Sequence, residues 1–100
     1  MENQNKPPHI FGKVLRKARE SKNMSKYAVA KASGRQISQI YLLEAGNSEP
    51  RVSTIIWLAQ ALGMRPQDLF NELCSALEQA EADSRPPGES QEQAQADKIL

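Results

Sequence analysis

Among these 100 residues the side chains able to attack, coordinate or shuttle protons are few: one histidine, His9, and one cysteine, Cys74. Together they supply neither a zinc ligand set nor a Cys-His nucleophile pair, and no GxGxxG or GxxxxGK phosphate loop is present. No catalytic residue, metal or cofactor is therefore expected, and Cys74, on an amphipathic stretch, reads as a small apolar residue rather than a redox sensor. What the chain has is cations. Residues 1–70 hold eleven Lys/Arg against five Asp/Glu, a net +6, while residues 71–100 hold two against seven, a net −5. The overall +1 is thus a cancellation between halves. The basic part suggests a polyanionic partner, and the acidic end keeps the chain soluble or serves as an interaction tail.

Those cations need a frame, and the length allows one small domain, which excludes a two-domain enzyme. No apolar run approaches the ~18–20 residues that span a bilayer. A lone cysteine cannot form an internal disulfide and no secretory signal opens the chain, so the expected compartment is a reducing cytoplasm.

The apolar period then divides the chain into five helices without a strand. Residues 1–8 are polar, end in Pro7-Pro8 and read as a flexible arm, to which His9 is joined. From Ile10, the residues Phe11, Val14, Leu15 and Ala18 repeat helically to about residue 22. Ser25 stands as an N-cap for a second helix over 26–33, ended by Gly34, and a third runs over 37–45, ended by Gly46. Pro50 marks a loop. Val52, Ile55, Ile56, Ala59 and Leu62 give a fourth helix up to Gly63, and Pro66, Leu69, Phe70, Leu73 and Leu77 a fifth to about residue 82. Residues 83–100 lack large apolar residues until Ile99-Leu100 and read as a disordered acidic tail, leaving 9–82 as the folded domain.

Two short helices joined by a glycine turn form a helix-turn-helix unit, and on a basic domain that unit points to DNA. Residues 15–70 also resemble the lambda-repressor-like (XRE-type) helix-turn-helix family. The likeness is carried without a gap by Leu15, Arg19, Ser25, Val29, Ala30, Gly34, Ile40, Leu43, Glu44, Gly46 and Pro50, then by Ile55, Leu58, Ala59, Ala61, Leu62, Gly63 and Leu69. It implies an all-α, compact five-helix DNA-binding domain in which Glu44 pairs with Arg19 as a structural ion pair.

At about 100° per residue, a third helix buried on Ile40 and Leu43 turns Arg35, Ser38, Leu42 and Ala45 outward, with Ile37, Gln39 and Tyr41 on its flanks. The resemblance implies base contacts from Ile37, Ser38 and Leu42, with Gln36 at the N-cap and Gln39 nearby. Ile37 and Leu42 offer only apolar contact, for instance to a thymine methyl, so Gln36, Ser38 and Gln39 are the polar readers and Tyr41 touches a base or a phosphate. Lys26 stands where the family usually has Gln and still reaches phosphate; Tyr27, Lys31, Arg35, Asn47 and Arg51 are the other phosphate candidates, whereas Glu49 has the wrong sign.

Relatives of this family usually bind as two-fold dimers, so a homodimer surface is expected. Trp57, at a position usually polar in the family, points to it; Leu73 and Leu77 either complete that surface or pack on their own domain. The function so implied is a sequence-specific double-stranded DNA-binding regulator, a repressor that occludes a promoter at an inverted-repeat operator. The rival is a protein-interaction module of the antitoxin type, in which the acidic tail wraps a basic partner protein; the tail equally suits an inert solubilising role.

Overall fold

The computed structural model describes residues 6–84, so the first five residues of the arm and most of the tail, 85–100, lie outside the described residues. Five helices follow in order: α1 (Pro7–Ser21), α2 (Lys26–Ser33), α3 (Ile37–Ala45), α4 (Val52–Ala61) and α5 (Pro66–Ser84). No strand occurs among the described residues.

Two boundaries differ from expectation. Pro7 and Pro8 open α1 instead of closing the arm, because a first turn has no use for their missing donors and their fixed φ already suits a helix. His9 is consequently helical and half-buried, seated against Gly46 at the end of α3 rather than in an arm. At the other end, α5 continues to Ser84, past residue 82, since polar residues with good helix propensity carry a helix onward after its apolar stripe has ended.

The turn that makes the unit is fixed by backbone chemistry. The Ser25 hydroxyl accepts the Ala28 amide at 3.0 Å and starts α2. Gly34, at φ 72°, ends it in the left-handed region, and the Arg35 amide returns to the Ala30 carbonyl at 2.9 Å. One residue further on, Gln36 leads into α3.

Around that unit the core is a single cluster, with Phe11, Leu15, Val29, Ile40, Leu43, Leu58 and Leu69 almost wholly buried. Helix α3 takes its position largely from α1. At Gly12 the two backbones come so close that a Cβ would lie 2.5 Å from the Leu43 carbonyl oxygen and 2.6 Å from that of Glu44. Next to this crossing, Arg19 on α1 grips Glu44 on α3 with two parallel bonds, Nε to Oε2 at 2.6 Å and Nη2 to Oε1 at 3.1 Å, and gives a third to the Met24 carbonyl at 2.9 Å. Both side chains are mostly buried, at 11% and 5% exposure, which is the setting in which a bidentate pair is strong and a lone charge costly. The bond to Glu44 raises the Arg19 pKa. Stability from a raised pKa is complete below the group's ordinary range and fades only as pH rises through the raised value, so this cation does not titrate under physiological conditions.

Two stability changes follow. Glu44→Ala strands the Arg19 guanidinium and should cost about 3 kcal/mol in urea unfolding. Gly12→Ala should cost about 1–3 kcal/mol, because the atoms it meets are backbone carbonyls that cannot step aside; a loss of only a few tenths would mean that α1 and α3 can separate freely.

Candidate nucleic-acid interface

With Ile40 and Leu43 fixed in the core, α3 turns Ile37, Ser38, Tyr41, Leu42 and Ala45 to the outside. Gln36 caps the helix by its backbone alone and its side chain is exposed and unspent on the cap. Gln39 is the exception among the expected readers: it is half-buried and turned toward α4. The outward strip is mixed in chemistry, with amide and hydroxyl donors at its start and apolar surface from Ile37 and Leu42 along it.

The cations lie on either side of this strip rather than on it. On the α2 side, the Lys26 ammonium sits over the Tyr41 ring, 4.1 Å from its centroid. Tyr27 and Lys31 are exposed on α2. On the α4 side, the Arg35 guanidinium stacks on Trp57 at 4.4 Å, and its Nε is buried without a hydrogen-bond partner. A polar recess opens there, lined by Arg35, Gln39, Ser48, Arg51, Ser53 and Trp57, with the buried Thr54 behind. Glu49 shares that recess and opposes any anion entering it. Asn47, just past Gly46, is exposed at the far end of α3, and Arg51 is exposed at the N-cap of α4.

The expected dimer residues fare differently. Leu73 is packed in the core, and Leu77 lies half-buried against the same core. Trp57 is 40% exposed but has a partner within the chain, Arg35. The apolar surface without cover is elsewhere: Val52 and Phe70, exposed at 74% and 51%, join Ile56, Ile55 and Pro66 around a shallow apolar groove between α4 and α5. Val52, Ile56 and Phe70 belong to the helical period of the sequence, yet they stand at the surface. A signal was present, since the apolar residues of α4, with Trp57 and Ala61 counted among them, spread over roughly 260° of its circumference, wider than one buried stripe requires.

A family model described as a helix-turn-helix domain matches residues 10–73. Among solved structures, the fold resembles the restriction-modification controller protein C.AhdI from Aeromonas hydrophila, at 34% identity and a TM-score of 0.59 over 61% of this chain and 92% of that one. It also resembles the clp gene regulator ClgR from Corynebacterium glutamicum, with a TM-score of 0.71 over 77% of this chain and 82% of that one; at 23% identity that likeness is one of fold. No curated protein is significantly similar in sequence. No helix among the described residues is long and apolar enough to cross a membrane. The domain model covers the whole of the unit formed by α2 and α3 together with the helices that hold it, and the chain belongs to the lambda-repressor-like, XRE-type helix-turn-helix family of DNA-binding transcription regulators.

Proposed function

We propose that the chain is a sequence-specific regulator that binds double-stranded DNA as a homodimer, with α3 in the major groove of each half of an inverted repeat, and that it represses by occluding a promoter. The observation that carries this reading is the exposed strip of α3 between flanking cations, Lys26 over Tyr41 on one side and Arg35 with Arg51 on the other. Such an arrangement suits a duplex, whose phosphates flank the groove in which the base edges lie.

Roles divide along the same line. Gln36 and Ser38 are placed to donate to or accept from base edges at the helix start, Ile37 and Leu42 to lie against thymine methyls, and Gln39 to bridge toward the backbone from its recess. Lys26, Tyr27, Lys31, Arg35, Asn47 and Arg51 hold the phosphates and set the register. The homodimer is assigned to the groove formed by Val52, Ile56 and Phe70, the exposed apolar set, in place of Trp57, Leu73 and Leu77.

The deciding experiment is retention of source-genome fragments by the purified chain at physiological salt over excess random competitor. A narrow set sharing an inverted repeat is expected; retention of everything or of nothing would reject sequence-specific recognition and turn the search to a basic protein partner. On the operator so found, Gln36→Ala should relax the preference at one base position by about 1–3 kcal/mol if its contact is bidentate. An unchanged preference at every position would remove Gln36 from the readers. In equilibrium sedimentation Phe70→Glu should give monomers while Trp57→Lys stays dimeric, and a dimeric Phe70→Glu would place the seam elsewhere.

A further inference from the structure

Lys26 and Arg35 share an arrangement that no other cation of the described residues is recorded to have: each is stacked on an aromatic ring from a different helix. Tyr41, on α3, carries Lys26 of α2; Trp57, on α4, carries Arg35 from the turn. Around α3, Tyr41 and Gln39 lie roughly 160° apart at 100° per residue. Tyr41 faces the Lys26 side and Gln39 lines the Arg35 recess, so the two stacked cations stand on opposite flanks of the strip that meets the bases.

We propose that Tyr41 and Trp57 are positioning residues: their rings hold Lys26 and Arg35 in place before DNA arrives, as a pair of clamps for backbone phosphates on the two sides of the recognition helix. This rests on the DNA-binding reading above and adds the device that makes its phosphate contacts work.

Three physical points support it. A free lysine or arginine side chain samples many rotamers and loses that freedom on binding, so a side chain already ordered by its own protein binds phosphate at lower cost. Stacking satisfies the flat face of a guanidinium and leaves its in-plane N–H groups directed outward, where a phosphate oxygen is received. The Arg35 side chain lines the recess shared with Arg51, Ser48 and Ser53, and its buried Nε is bonded to no group of its own domain, so no hydrogen bond there competes with a phosphate for the guanidinium. Arg35 has no ion pair with Glu49 in that recess, so its charge is not consumed there.

Both rings thereby change their meaning. Trp57 is an aromatic whose exposed face has an occupant of its own, and Tyr41 acts through the ammonium on its ring more than through a base.

The test measures binding of the full chain to a fluorescein-labelled mixed-sequence duplex of about 20 base pairs by anisotropy over a range of KCl concentrations, which reads phosphate contacts without needing the operator. Trp57→Leu and Tyr41→Leu should each weaken binding about three- to tenfold. The salt slope should stay unchanged, because the cation is still present and only its order is lost. Trp57→Phe and Tyr41→Phe, which keep a ring, should bind close to the wild type. Arg35→Ala and Lys26→Ala should instead lower the salt slope by about 0.9 each. The double variants Trp57→Leu with Arg35→Ala, and Tyr41→Leu with Lys26→Ala, should be no weaker than the Ala variant alone. In the free protein, Arg35→Ala should shift the emission of Trp57, the single tryptophan of the chain.

Because Trp57→Leu risks unfolding, thermal melts accompany every variant, and the Tyr41 set decides the matter separately on the other flank. Wild-type affinity in the Leu variants, or double variants weaker by the product of the single losses, would overturn the clamps while leaving DNA binding intact. A wild-type chain that binds no duplex would overturn both.

Discussion

Where α1 crosses the end of α3 the fold has no slack. Gly12 brings the backbone of one helix onto the last carbonyls of the other, and the Arg19 fork fixes Glu44 about two turns of α1 further on. A helix of nine residues is too short to hold its own shape in water, so α3 exists because it is held. It is held along its back: by the Gly12 contact, by the Arg19 bonds, by Ile40 and Leu43 in the core, and by His9 against Gly46. Everything that the outer strip can do depends on that grip.

The division of labour on the outer side follows from electrostatics. A strip bearing its own lysines would bind any duplex strongly and distinguish sequences little, since the phosphate term is blind to sequence. Here the charges are displaced to the flanks and the strip is left with amides, a hydroxyl and apolar surface, groups that in the proposed complex would make weaker contacts that depend on which base they meet. Glu49 and the acidic residues of α5, Asp68, Glu72, Glu78, Glu81 and Asp83, work in the same direction by lowering the attraction of the molecule as a whole for polyanions.

The frame was legible in the sequence because local chemistry writes it. Ser25, Gly34 and Gly46 cap and turn helices within a few residues of themselves, and the 3.6-residue period of Leu15 and Leu69, joined by the family likeness at Ile40, Leu43 and Leu58, names a core without knowing how its parts meet. The Arg19–Glu44 pair came from family likeness and is present with full bidentate geometry. What escaped depends on contacts between distant segments. Nothing near Gly12 in the chain announces that Leu43 and Glu44 will lie on it, and nothing near Trp57 announces Arg35, twenty-two positions earlier. The period also says which residues share a face, but not whether anything covers it, so the exposure of Val52 and Phe70 could not be read from it. Pro7-Pro8 misled in the opposite sense, as a pair that breaks helices in the middle and begins them at the first turn.

The back and the front of α3 draw on separate residues. Ile40, Leu43, Glu44 and Gly46 secure the helix, while Gln36, Ile37, Ser38 and Leu42 make no contribution to the core and stand exposed. Exchanges at such exposed positions usually move stability by no more than about half a kcal/mol. With base reading assigned to these positions as proposed, the domain could change what it recognises in small, nearly neutral steps, and descendants of one scaffold could drift to different targets without passing through an unfolded intermediate sequence.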